Sequence, residues 1–216
     1  MKLHLETVPT LLWESLEKLM AHSGLNEFRL VGGTALSLQC GHRISIDIDL
    51  FTDSPYNSVD FYQIDQWIKE TFDYVEMSTE GNIGFGKSYY VGTDSANLLK
   101  LDFYYTDQFV FPEQMSDRLR MASKEEIAAM KMEIIGNGGR KKDFWDIHEL
   151  LDHMSIQDIF KHYTQRYPYG HSKETLVKGL TNFTVADDDF DPDCLRQKHW
   201  ELIKLDFLDL IQTEIL

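Results

Sequence analysis

Two aspartates one residue apart, Asp47 and Asp49, are the sharpest chemical feature of this sequence. They lie in a run where Ile44, Ile46, Ile48 and Leu50 alternate with Ser45, Asp47, Asp49 and Phe51, the period-two pattern of a strand with one apolar face. On such a strand both carboxylates project to the same side with α-carbons about 6.6–6.8 Å apart, so they can converge on shared cations. Without a metal ion their mutual repulsion is costly. A D-x-D pair alone is equally the solvent face of a half-exposed strand, so its neighbours must decide. Upstream, Gly32 and Gly33 let backbone approach a ligand closely and place helix-start N–H groups where an anion such as a triphosphate can sit. Thr34 and Ser37 offer further hydroxyl donors. Arg43 stands four residues before Asp47 and Ser45 four before Asp49; Arg43 can hold a phosphate or neutralise Asp47.

The elements that must position these groups are readable in outline. Leu12, Leu16, Leu19 and Met20 predict a helix over Pro9 to His22, with Gly24 as its stop. Phe28 to Val31 reads as a short strand, and Thr34 to Cys40 as a short helix closed by Gly41. After the acid-bearing strand and turn residues Thr52 to Asn57, the spacing of Val59, Ile64, Trp67, Ile68 and Phe72 predicts another helix. Segments near Tyr74 to Ser78, Ile83 to Val91 and Leu98 to Tyr105 read as an antiparallel meander, divided at Gly81-Asn82 and Gly92-Thr93-Asp94. From Ser123, with Glu126 three residues on as a capping box, the pattern turns helical. Gly136 to Gly139 interrupts that helix, and Asp143 to Met154 resumes with Phe144, Ile147, Leu150 and Leu151 inward. The division falls between Phe111 and Ser123, giving an α/β domain over 1–115 and a helical domain over 116–216.

Composition narrows the classes. The 216 residues are 43% apolar, enough for an ordinary core. A formal charge of −15 argues against wide, sequence-independent wrapping of nucleic acid, so any such contact must be local. No apolar run approaches membrane-spanning length, and the N-terminus lacks signal-peptide features, so the expected location is the cytoplasm. Cys40 and Cys194 suggest neither a disulfide framework nor a thiolate metal site and read as ordinary thiols.

Lys131 is unusual for its place. Its helical neighbours Ile127, Ala128, Ile134 and Ile135 are apolar, whereas Glu125, Glu126 and Glu133 mark the wet face. A lysine aimed inward requires an anion, either a phosphate or a carboxylate such as Asp146, unless its side chain snorkels out at the domain edge. GNGGRKK lacks the spacing of a phosphate loop and reads as a flexible basic loop able to meet an acceptor. His148-Glu149 with His153 imitates a zinc-protease motif but sets the two histidines roughly 140° apart around a helix. The cluster Asp187, Asp188, Asp189, Asp191 and Asp193 lacks an EF-hand glycine and reads as a solvated lead into the last helix.

The segment GGTALSLQCGHRISIDIDLF resembles the first motif of the AbiEii/AbiGii toxin family of nucleotidyltransferases, within the DNA polymerase beta-like superfamily. In that superfamily the gap from glycines to acids is usually somewhat shorter. The resemblance implies a third acid on a neighbouring strand, and KLDF at Lys100 to Phe103 supplies Asp102. Two acids would then hold metal ions on the triphosphate, while the third shares a metal and accepts the proton of the attacking hydroxyl. The later segment KMEIIGNGGRKKDFWDIHEL resembles the second signature of the family, matching at Lys131, Arg140, Lys142, Asp143 and Asp146. Together these cover about residues 28–152 and imply an α+β fold: a mixed nucleotidyltransferase sheet with flanking helices, then a helical C-terminal half. They further imply an NTP donor, Mg2+ or Mn2+, and a toxin role opposed by a cognate antitoxin. Implied nucleotide contacts are Gly32, Gly33, Thr34, Ser37, Arg43, Ser45, Lys131, Arg140, Asp143 and Asp146. RNA, such as tRNA, is the preferred acceptor, the chain acting as a monomer. The competing readings are a small-molecule nucleotidyltransferase of the antibiotic-modifying kind and a non-catalytic partner protein that keeps the fold.

Overall fold

The computed structural model describes residues 2–77 and 84–214. Ser78, Gly81, Asn82 and Ile83, invoked above for the meander, lie outside the described residues. The chain forms two compact units, Met1–Gln39 with Ser45–Ala122, and Cys40–Ile44 with Ser123–Leu216. The expected division at 115/116 thus compares with a boundary at Ser123, and a five-residue segment ahead of the acid strand associates with the helices. Among the described residues no helix is long and apolar enough to cross a membrane.

The first unit is built on a seven-stranded mixed sheet in the order β3-β4-β5-β2-β1-β7-β6. Its strands are β1 (Arg29–Leu30), β2 (Asp47–Thr52), β3 (Tyr74–Met77), β4 (Gly86–Asp94), β5 (Asn97–Tyr105), β6 (Gln114–Ser116) and β7 (Leu119–Met121). β3, β4 and β5 form the expected antiparallel meander, and β5 runs parallel to β2. Period-two alternation sends Ile48, Leu50, Leu101 and Phe103 into the core, all essentially buried. Helix α1 (Thr10–Ala21) contacts β2, β5 and β7, burying Leu12, Leu16 and Leu19. Phe28 meets the Phe103 ring edge-on at 5.5 Å between centroids. Helix α2 (Gly32–Cys40) follows β1 directly, and α3 (Phe61–Thr71) starts at Asp60, whose carboxylate accepts from the backbone N–H of Tyr62 and Gln63.

One sequence expectation fails at β2. The alternation suggested a strand from Ile44, but it starts at Asp47, and Ile46 is 62% exposed. Before Asp47 the backbone serves other partners: Ile44 N–H donates to Asp193 O and Ser45 N–H to Thr7 O.

The second unit is helical: α4 (Lys124–Gly136), α5 (Lys141–Leu150), α6 (Ile156–Arg166), α7 (Lys173–Thr181), α8 (Thr184–Asp187) and α9 (Trp200–Glu214). α4 packs against α5, α6 and α7, while α5 meets α9 through Phe144 and Phe207, centroids 5.9 Å apart. Only half of the expected capping box forms. Ser123 Oγ accepts from Glu126 N–H at 3.3 Å, but the Glu126 carboxylate is fully buried and paired with Arg166. Glu126 therefore does not belong to the wet face, and Ile134, expected inside, is 40% exposed. The acidic cluster is wired in rather than merely solvated. Asp187 accepts from Trp200 Nε1 at 2.6 Å and Lys204 Nζ at 2.9 Å, and Asp191 pairs with Lys141 at 2.9 Å.

Candidate active site

The register between β2 and β5 places Asp49 directly beside Asp102 and Asp47 beside Lys100. Paired positions on adjacent strands share a face, and positions two apart along a strand share it too. Asp47, Asp49, Lys100 and Asp102 therefore occupy one face, each half-buried, while the intervening Ile48 and Leu101 are sealed in the core. The Asp47 and Asp49 face of β2 is thus the more open side of the strand, and the Ile48 and Leu50 face its packing side.

Gly32 makes room for this face. It has φ +67°, and a Cβ built there would lie 2.5 Å from Asp49 Oδ2, so a side chain is excluded on both conformational and steric grounds. Val31 N–H donates to Asp49 O at 2.9 Å, tying the start of α2 to β2. Thr34 Oγ1 donates to Asp47 O and lies 2.8 Å from Ser45 Oγ. With one hydroxyl proton already committed, Thr34 receives the proton of Ser45. These two buried hydroxyls hold the loop to the helix. Ser37 is fully buried, and its Oγ has no hydrogen-bond partner.

Lys100 Nζ lies 2.7 Å from Asp102 Oδ2. Burial works against its charge, but Asp102, then Asp49 and Asp47, outweigh burial and raise its pKa. The ammonium is thus held by the combined field of all three acids. Sequence reading passed over Lys100; its i, i+2 relation to Asp102 on a strand is the signal that finds it. The other oxygen, Asp102 Oδ1, is buried without a hydrogen-bond partner. An orphaned carboxylate oxygen in an all-oxygen donor set suits a hard divalent cation such as Mg2+ or Mn2+. The three carboxylates share a face but are not drawn to a point: among the described residues, the three-ligand group whose donor atoms all lie within 4.8 Å of one another is Cys40, Glu149 and His153.

The second family-matched set assembles within the helical unit. Asp146 accepts from Arg43 Nε at 2.7 Å, Arg43 Nη2 at 2.9 Å and His42 Nε2 at 2.8 Å, and pairs with Lys131 Nζ at 2.7 Å. Lys131 also reaches Asp143 Oδ1 at 2.6 Å, and Asp143 Oδ2 accepts from Arg140 N–H at 3.0 Å. Arg43, Lys131, Asp143 and Asp146 are all buried. Burial disfavours charge on Asp146, yet Arg43 and Lys131 hold it well below the usual carboxylate range; Asp143 is lowered likewise, burial being outweighed by Lys131. For Lys131 itself burial is overcome by Asp146 and Asp143, and its pKa is raised. The inward lysine thus has its anion, and the anion is protein. The basic stretch is partly spent as well: Lys141 is buried, paired with Asp191 and 5.5 Å from the Trp200 ring centroid.

Residues 15–213 match the family described as nucleotidyl transferase AbiEii toxin, type IV TA system. An uncharacterised protein of Aquifex aeolicus (strain VF5) is 28% identical over 207 residues, covering 88% of this chain and 89% of that one. Among solved structures, a candidate nucleotidyltransferase from Helicobacter pylori aligns with TM-score 0.57 and 20% identity over 92% of this chain and 91% of its own. MenT4, a nucleotidyltransferase toxin from Mycobacterium tuberculosis H37Rv, aligns with TM-score 0.60 and 13% identity over 94% and 82%. These two structures share the α+β fold, while the sequence match spans nearly the whole chain. On that match the chain belongs to the AbiEii family of toxin nucleotidyltransferases.

Proposed function

We propose that the chain transfers a nucleoside monophosphate from an NTP to a hydroxyl of RNA, with Asp47, Asp49 and Asp102 as the catalytic acids. The observation that carries this reading is the register of Asp49 with Asp102, on a half-open face beside the glycine start of α2. Asp47, Asp49 and Asp102 would hold Mg2+ or Mn2+, which when bound neutralises charge on the phosphate oxygens. The acceptor oxygen bonds to the α-phosphorus as the bond to the β-phosphate oxygen breaks, and pyrophosphate leaves. Asp102 Oδ1, lacking a hydrogen bond of its own, receives the hydroxyl proton. Lys100 holds Asp102 Oδ2 and so fixes the orientation of the carboxylate. Gly32 and Gly33 admit the triphosphate to the first turn of α2.

The Lys131, Asp143, Asp146 and Arg43 cluster acts on this chemistry as scaffold: it anchors Arg43, which precedes Asp47 by four residues in the chain. Arg140, 3.7 Å from Asp143 Oδ2 yet 58% exposed at its side chain, is the group of the basic stretch that we assign to meeting an acceptor. A cognate antitoxin is the protein partner that family membership supports. The test is to incubate the protein with labelled NTPs, magnesium and cellular RNA. Labelled RNA, lost on Asp49→Asn, supports the proposal; label on a small molecule would select the antibiotic-modifying alternative; no label with any NTP counts against transfer.

A further inference from the structure

Apart from the acid face, one group of side chains among the described residues is disposed to hold a metal ion. Cys40, at the end of α2, Glu149 in the last turn of α5 and His153 just beyond it bring one donor atom each within 4.8 Å of the others. Cys40 Sγ and His153 Nε2 are 3.5 Å apart. A tetrahedral zinc ion, with Zn–S about 2.3 Å and Zn–N about 2.0–2.1 Å, requires sulfur and nitrogen about 3.5 Å apart. Glu149 lies in the last turn of α5 and His153 in the turn that follows it, where His153 N–H donates to Leu150 O at 2.9 Å. His148 is spent on Asp206 at 2.9 Å and Lys198 at 3.0 Å.

We propose that Cys40, Glu149 and His153 form a zinc site in the helical unit, with the fourth position taken by water. Thiol, imidazole and carboxylate together select zinc over magnesium, so this site is chemically distinct from the all-oxygen acid face. Cys40 and Glu149 are buried and His153 is exposed, which gives the ion an entry from the histidine side. Binding replaces the Cys40 S–H bond with an S–Zn bond and releases that proton to solvent. The resulting thiolate and the Glu149 carboxylate together balance the charge of the ion.

Three cations ring the site and oppose the ion. Lys198 lies 3.0 Å from Glu149 Oε2, Arg196 3.9 Å from Glu149 Oε1, and Lys124 3.3 Å from His153 Nδ1. An ammonium can only donate, so in the contact with Lys124 the neutral imidazole carries its proton on Nε2, facing Cys40. Zinc requires Nε2 bare and the proton on Nδ1, so Lys124 must swing away. Lys124 thereby weakens the site without being part of it.

The experiment uses full-length protein freed of metal with a chelator, then titrated with Co2+ in excess Mg2+, which occupies the aspartates. A thiolate-to-cobalt charge-transfer band saturating at about one ion per chain is expected for one site with one thiolate. The band should persist in Cys194→Ser and vanish in Cys40→Ser. Zinc affinity, read by competition with a chromophoric chelator, should fall more than about 100-fold in Cys40→Ser, beyond the loss expected for an outer-shell contact. His153→Gln, at an exposed position, should lose roughly tenfold or more even if Cys40→Ser fails to fold. Lys124→Met should tighten zinc binding. Absence of the band in the parent protein, its survival in Cys40→Ser, or unchanged zinc affinity in His153→Gln would overturn the proposal. None of these readings depends on nucleotide transfer.

Discussion

Two sets of carboxylates in this chain match the family pattern, and their surroundings are opposite. Asp143 and Asp146 are buried, and among them they engage Lys131, Arg43, His42 and the Arg140 backbone. Asp47, Asp49 and Asp102 stand half-open on the sheet, with Lys100 on Asp102 and one Asp102 oxygen unsatisfied. Buried charges with complete partners maintain structure; removing one partner leaves the other uncompensated in a medium that cannot solvate it. Half-open acids crowded on one face spend stability on mutual repulsion, and that cost makes sense where a ligand relieves it. Two sets of acids that match one family pattern therefore differ in burial, the helical pair being sealed and the sheet acids half-open.

The comparison breaks most easily at Asp146. Asp146→Ala leaves Lys131 and Arg43 buried without their shared acid and should cost about 3–5 kcal/mol of stability, measured by urea unfolding. A loss under about 1 kcal/mol would mean that the cluster is solvated and that its contrast with the sheet face is false. Lys131→Met should cost somewhat less, on the order of 1–3 kcal/mol, because Arg43 and His42 still serve Asp146 and the Arg140 N–H still serves Asp143. NTP affinity of the folded variant should remain close to that of the parent; a large selective loss of affinity with unchanged stability would return Lys131 to a phosphate-binding role.

pH sharpens the same contrast. Folding depresses the pKa values of Asp143 and Asp146, so their contribution is present above the unfolded value of about 3.9 and is lost as pH falls through the folded values. Lys131 is raised, so its contribution is full below about 10.4 and disappears as pH climbs through its folded value. The contribution of this cluster should thus be flat between these limits and fall on both sides, with the acid arm much reduced in Asp146→Ala. A smaller stability effect than for Asp146→Ala or Lys131→Met is expected from Gly32→Ala: a positive φ costs a side chain about 1–2 kcal/mol. Its activity should drop much further than that strain explains, because the new Cβ displaces Asp49 Oδ2. Full activity in this variant would detach the glycine from the site.

Local chemistry was legible in the sequence; long-range pairing was not. Alternation identified the face of β2, since period two follows from backbone geometry alone, whereas Asp102 came from the family resemblance and its register beside Asp49 came from the structure. The same alternation misled at Ile44 and Ile46, where backbone bonds to Asp193 and Thr7 override a strand-like pattern. Helical spacing placed Lys131 inward correctly but put Glu126 in water, because its partner Arg166 is 40 residues away. Arg43 and Asp146 are 103 residues apart, and Cys40 and His153 113, so no local pattern joins them. Lys100 stands two residues from Asp102 on one strand, so the same period-two rule places it on the acid face.

The most direct test of the account compares Asp102→Asn with the parent protein in one experiment: unfolding by urea alongside magnesium-dependent label transfer from an NTP labelled at the α-phosphate. The side chain is nearly unchanged in volume, and relief of repulsion from Asp47 and Asp49 offsets the lost ion pair with Lys100. Stability should therefore hold within about 1 kcal/mol, while transfer falls roughly 10²–10⁴-fold, the range expected for loss of a general base. Transfer equal to that of the parent by a folded Asp102→Asn protein would contradict the assignment of the acid face as the site of reaction.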